Sequence, residues 1–121
     1  MGNGLNDGET AVRSFQIVLE TPHGLRTVDC RSDEYVWDAA ARAGVALPAI
    51  CHQGRCLTCA GRLLAGSVDQ SDAASYFEQD KAAGFVLLCR ARPLSNLRIR
   101  TDEQWTMREH RIANHLPAPY A

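Results

Sequence analysis

The sequence predicts an α+β fold in which a mixed sheet packs on one main helix. Three observations carry that expectation. Stretches of period-2 apolar alternation open the chain and return near its end, one amphipathic helical stretch follows the first pair, and much of the middle is turn chemistry. With 121 residues and 45% hydrophobic content, there is material for one core and too little for two of ordinary size.

Residues 1–11 hold three Gly and two Asn and read as a disordered lead. In 13–20, Phe15, Ile17 and Leu19 alternate with other residues, the pattern of a strand with one buried face. Thr21, Pro22, His23 and Gly24 form a turn, and 25–30 returns as a second strand. Ser32 is the expected cap of the helix that follows, with Asp33 and Glu34 at its positive end. Val36, Ala39, Ala40 and Ala43 form its apolar stripe, and Gly44 ends it. A cysteine loop follows Pro48, and 60–64 reads as a short strand closed by Ala65, Gly66 and Ser67. A helical turn is expected around 75–81, an apolar strand over 84–89, and a last strand over 96–101, where Leu97 and Ile99 alternate with arginines. The domain thus runs over 12–101, leaving 102–121 as a C-terminal extension.

Charge narrows the function. Lys and Arg total 13 against 14 Asp and Glu, and no block of like charge suggests nucleic acid. No apolar run approaches the ~18 residues of a membrane span, so no membrane insertion is expected. The opening MGNGLNDGET lacks the basic and apolar regions of a secretory signal, so the chain reads as soluble and unexported, in a cytoplasm. Five cysteines in such a compartment point to metal or redox chemistry before disulfides.

Cys51, Cys56 and Cys59 form C-x4-C-x2-C, and Cys89 follows after 29 residues, the ligand spacing of plant-type [2Fe–2S] proteins. Each iron of such a cluster takes two bridging sulfides and two thiolates, so four cysteines complete it. Gly54 lets the backbone fold over the cluster, and loop amides can point at the sulfurs. A structural zinc module is the bland alternative, but zinc sites usually pair two CxxC knuckles, and here one cysteine stands alone. Rieske ligation needs two histidines, and His52 beside Cys51 has the wrong spacing.

The string LPAICHQGRCLTCAG at 47–61 resembles the cluster loop of plant and cyanobacterial photosynthetic ferredoxins, and GSVDQSD at 66–72 and GFVLLCRARP at 84–93 resemble the family's later blocks. The resemblance implies a β-grasp fold, a [2Fe–2S] cluster on Cys51, Cys56, Cys59 and Cys89, and single-electron transfer at low potential. It further implies donor and acceptor partners such as photosystem I and reductases. Cys30 occupies a position where the family often has a cysteine that is not a ligand.

The chain departs from that pattern. Ala49 and Ile50 replace a usual Tyr-Ser, and Leu57 a usual Ser, removing hydroxyls near the sulfurs. Arg55 replaces a small residue and should raise the potential. His52, in place of an Arg, reads as a solvated loop residue. The family's acidic docking run aligns with Phe77, Glu78 and Gln79, preceded by Ser75, and its C-terminal carboxylates with Gln104 and Trp105. Tyr76 or Phe77 could serve as the exposed aromatic or belong to the core. Arg90, Arg92, Arg98 and Arg100 bring positive charge onto what reads as an edge strand, and acidic surface remains around Asp29, Asp33, Glu34 and Asp38.

The extension resembles that of a divergent plastid and cyanobacterial subgroup. Thr101 and Gln104 suit a capping box, and Trp105, Ile112 and Leu116 fall on one helical face until Pro117. That helix is either packed on its own domain or a partner-binding arm. The expectation is a monomeric electron carrier and not an enzyme, since no credible nucleophile and base pair is present. A redox-sensing module using the cluster and tail is the rival reading.

Overall fold

A computed structural model describes residues 12–54 and 56–119. The lead over 1–11 and Arg55 therefore lie outside the described residues. The chain opens as a hairpin of β1 (Ser14–Thr21) and β2 (Gly24–Arg31), with Ile17 opposite Val28 and Phe15 opposite Cys30. Alternation sends Val28 and Cys30 inward while Thr27 and Asp29 face water.

Helix α1 (Val36–Arg42) buries Val36, Ala39 and Ala40 against the sheet, and Gly44 follows it in a left-handed conformation (φ 82°). The residue before the helix is Tyr35, so the expected Ser32 cap does not form. The Val36 N–H is met instead by the Ala91 carbonyl at 2.8 Å, and Ser32 is used elsewhere, its Oγ accepting the Arg13 N–H at 3.0 Å. A tertiary carbonyl has replaced the local cap.

The remaining elements are β3 (Ala60–Ala65), β4 (Val68–Asp69), α2 (Glu78–Ala82), β5 (Phe85–Leu87), β6 (Arg92–Pro93), β7 (Leu97–Arg100) and α3 (Gln104–Ala113). The main sheet has the order β2-β1-β7-β3-β5, while β4 and β6 make a small second sheet. Strands β1 and β7 are parallel and the other pairs antiparallel. This mixed sheet with a helix across it is a β-grasp. Ile17, Leu19, Val36, Leu88, Leu97 and Ile99 form its main core, each fully buried side chain contributing about 1.5–3 kcal/mol.

Strand β7 is central, not an edge. Its outward residues Arg98 and Arg100 approach the Glu20 carboxylate on β1 at 2.7 and 3.5 Å, so the arginines meet a partner within the sheet. The expected strand over 84–89 also stops early. It ends at Leu87, and Leu88–Arg90 form a 3-10 turn, in which the Ala91 N–H bonds back to the Leu88 carbonyl at 3.5 Å while the Leu88 N–H still meets the Cys59 carbonyl at 3.1 Å.

In the extension, Glu103 precedes the helix and Thr101 does not cap it. Thr101 is buried, its N–H bound to the Glu20 carbonyl at 3.0 Å and its hydroxyl to Asp102 at 2.6 Å. The helix buries Met107 and Arg111, whereas Trp105 and Ile112 of the expected apolar face are 63% and 56% exposed. The helix is rotated because the charge of Arg111 is matched inside the protein by Asp80, at 2.9 Å.

Candidate metal centre

Cys51, Cys56 and Cys59 lie on the loop between α1 and β3, and Cys89 on the 3-10 turn after β5. That turn aims Cys89 at the loop: its Sγ is 3.2 Å from Cys59 Sγ. At the other end, Cys51 Sγ accepts the N–H groups of Gln53 and Cys56, both at 3.4 Å. Cys56, Cys59 and Cys89 are buried and Cys51 is half-buried. The four sulfurs thus divide into a contacting pair, Cys59 with Cys89, and a second pair joined through the Cys56 amide.

Backbone shape and sutures hold the loop. His52 and Gly54 adopt positive φ (54° and 69°), and a Cβ on Gly54 would meet the Ala73 Cβ at 2.6 Å. Glycine is required there for both reasons. The Gln53 and Gly54 carbonyls accept the N–H groups of Ala74 and Ser75, each at 2.9 Å. Arg90 Nε donates to the His52 carbonyl at 2.9 Å while its other arm reaches the Tyr35 hydroxyl at 3.2 Å, and that hydroxyl donates to Asp72 at 2.6 Å. The exposed His52 ring meets Trp37 edge-on at 4.6 Å.

Several positioning residues escaped the sequence reading. Gln70 clamps Leu87 two residues before Cys89, accepting its N–H at 2.6 Å and donating to its carbonyl at 3.1 Å. Arg90 read as surface charge, and its role as a loop brace has no local sequence signal. Tyr76 and Phe77 are packed rather than presented: the Tyr76 hydroxyl donates to the Phe85 carbonyl at 2.6 Å, and the Arg111 guanidinium lies 4.8 Å over the Phe77 ring.

The contacting thiols cannot ionise independently. Their shared hydrogen bond pushes Cys59 up, with burial adding to the effect. The same bond, aided by the Gly54 amide, holds Cys89 down. A cation between them relieves this conflict by pairing with both thiolates. Cys30 lies apart, in the main core, where burial and then Glu34 push its thiol up to about 12.

The donor set fits a binuclear iron–sulfur group: four sulfurs in two pairs, with backbone amides aimed at one of them.

The fold and this set of thiols define an iron–sulfur protein, and comparison with known proteins agrees. Residues 20–94 match the model of the 2Fe-2S iron-sulfur cluster binding domain. Ferredoxin-2 of Synechococcus is 46% identical over 91 residues, covering 75% of this chain and 87% of its own. Among solved structures, Pectocin M2 superposes with a TM-score of 0.69 at 30% identity, over 75% of this chain and 33% of its own. The Amycolatopsis cytochrome P450 reductase does so at 0.63 and 33%, over 71% and 26%. The chain belongs to the 2Fe-2S iron-sulfur cluster binding domain family. It is an electron carrier of the plant-type ferredoxin kind, and its cofactor is a [2Fe–2S] cluster.

Proposed function

We propose that Cys51, Cys56, Cys59 and Cys89 are the four cluster ligands, Cys59 and Cys89 serving one iron and Cys51 and Cys56 the other. The observation that carries this is the 3.2 Å contact between Cys59 and Cys89, two cysteines 30 residues apart that a strand end and a turn bring together. The cluster, when bound, supplies a one-electron couple. The chain's own residues hold it and tune it: loop amides donate toward Cys51 Sγ, and Arg90 braces the loop while keeping positive charge beside Cys89. No substrate chemistry of its own is assigned to the chain.

Ferredoxins work with reductases and acceptor enzymes, and we assign this chain a donor and an acceptor of that kind, photosystem I among the candidates, as a monomer in a cytoplasm or stroma. The charge pattern favours an acceptor other than one with a strongly basic face. Asp33 and Glu34, half of the acidic group left to this chain, are bound to Arg31 at 3.1 Å and Arg42 at 2.8 Å. Steering depends on such charge and is screened over about 8 Å at physiological salt.

The assignment is tested by Ser variants of the full chain. Cys51→Ser, Cys56→Ser, Cys59→Ser and Cys89→Ser should each lose the visible absorption of the cluster, because a hydroxyl is a poor replacement for a thiolate. Cys30→Ser should keep it. A Cys59→Ser protein with full absorption, or a Cys30→Ser protein without it, overturns the ligand set.

A further inference from the structure

Helix α3 lies beyond the 20–94 span of the family match, yet one of its side chains reaches the metal centre. Met107 is fully buried in a cluster with Leu57, Cys59, Ala60, Phe85, Leu87 and Cys89. Two of those neighbours are the contacting thiols, and Leu57 and Ala60 flank Cys59 in the chain.

The helix is fixed in position at both ends. At its start, the Glu103 N–H donates to the Ala60 carbonyl at 3.0 Å, and the Glu103 carboxylate lies 3.8 Å from Arg62. At its far end the buried Arg111 binds the buried Asp80 through Nε at 2.9 and 3.1 Å. Its remaining nitrogens donate to the Ser75 carbonyl at 2.9 Å and the Pro117 carbonyl at 2.8 Å. His110 Nε2 is 3.1 Å from the same Asp80 carboxylate. A buried ion pair is weak evidence for stability, since desolvation offsets much of its attraction. Its effect here is geometric. Arg111 and Met107 are four residues apart and share a helix face, so anchoring Arg111 on Asp80 turns Met107 into the buried cluster that holds Cys59 and Cys89.

We propose that α3 is a wall of the metal centre, and that Met107 is a positioning residue that keeps water from the Cys59–Cys89 half of the cluster, holding its reduction potential down and slowing metal loss. The proposal rests on the ligand set given above. Reduction adds negative charge to a site that already carries four thiolates, and that charge is disfavoured where uncharged side chains replace water. A thioether at full burial is such a neighbour. Wetting this half should therefore raise the potential and open a route for chelators.

The test uses the cluster-loaded full-length chain. Met107→Gln, polar and of similar length, is measured beside Met107→Leu, which keeps the volume apolar, and Trp105→Ala, on the exposed side of the same helix. Met107→Gln should have a higher midpoint potential than the parent and bleach several-fold faster in a chelator, while the other two variants match the parent. A Met107→Gln protein with the parent's potential and bleaching rate overturns the proposal. Solvent access supplies a second measurement on the same proteins. After exchange into D2O and reduction, pulsed EPR should show a larger coupling to solvent deuterons in Met107→Gln than in the parent, and equal couplings in the two proteins overturn the wall. Failure of the ligand set gives a different signal, full cluster absorption in Cys59→Ser or its loss in Cys30→Ser.

Discussion

The cysteine loop and the C-terminal helix meet at the same metal centre, yet they are specified in opposite ways. The loop is written locally: three thiols at fixed spacing and a glycine at the tight point, with only Cys89 delivered from afar. The helix is written non-locally. Its orientation depends on Asp80, 31 residues before Arg111, and it adds one methionine to the buried cluster that holds two of the cysteines. The first kind of information can be read from spacing, and the second appears only when two distant charges are found buried together. The two regions should accordingly fail in different ways when altered.

The largest effect is expected in the distant pair. Asp80→Asn leaves the Arg111 cation buried without its counter-charge, which should cost about 3–5 kcal/mol of stability, read as a lower urea midpoint. Because the penalty belongs to the unpaired charge, adding Arg111→Met should recover much of the loss. A double variant as unstable as Asp80→Asn alone would mean that the carboxylate's bond to the Phe77 N–H, at 2.9 Å, matters more than the pair.

This contrast explains which parts of the sequence were legible. The hairpin, α1, β3, β7 and the four cysteines follow from period, turn residues and spacing. The Ser32 and Thr101 caps did not form, because in both cases a carbonyl from elsewhere in the fold met the backbone and the hydroxyl found another partner. The side of the tail helix that packs on the domain was not legible for a related reason. The spacing of Trp105, Ile112 and Leu116 left open whether their face packs on the domain or meets a partner, and Met107 and Arg111 take the buried side because a buried carboxylate waits for the arginine. Cys89 was placed in a strand, since nothing local in GFVLLCRARP records that Ala91 bonds back to Leu88 and closes a turn around it.

A smaller effect is expected in the loop. Gly54→Ala must place a side chain at φ 69° against Ala73, a strained conformation that costs about 1–3 kcal/mol. Unlike Asp80→Asn, it should act mainly on the metal centre, with faster loss of visible absorption and a modest change in unfolding midpoint. A loop that absorbed this substitution with an unchanged bleaching rate would show the turn to be less constrained than its contacts imply.

The smallest effect concerns Cys30, which belongs to neither region. Its thiol moves from an ordinary 9.0 to about 12 on burial, so the folded protein holds a proton that the unfolded chain releases. That contribution to stability is complete below pH 9 and is lost as pH rises toward 12. In urea titrations across that range, Cys30→Ala should lose stability with pH less steeply than the parent, after correction for its lower starting value. Parallel slopes would show that other groups govern the alkaline limit.

The central claim is that two pairs of thiolates hold two irons in one electron-accepting centre, and the EPR spectrum of the reduced protein tests it most directly when combined with iron and acid-labile sulfide analysis. The account predicts two irons and two sulfides per chain, and on reduction a signal integrating to one unpaired electron. A chain that carries a single zinc, or that stays without an EPR signal after reduction at low potential, would contradict it.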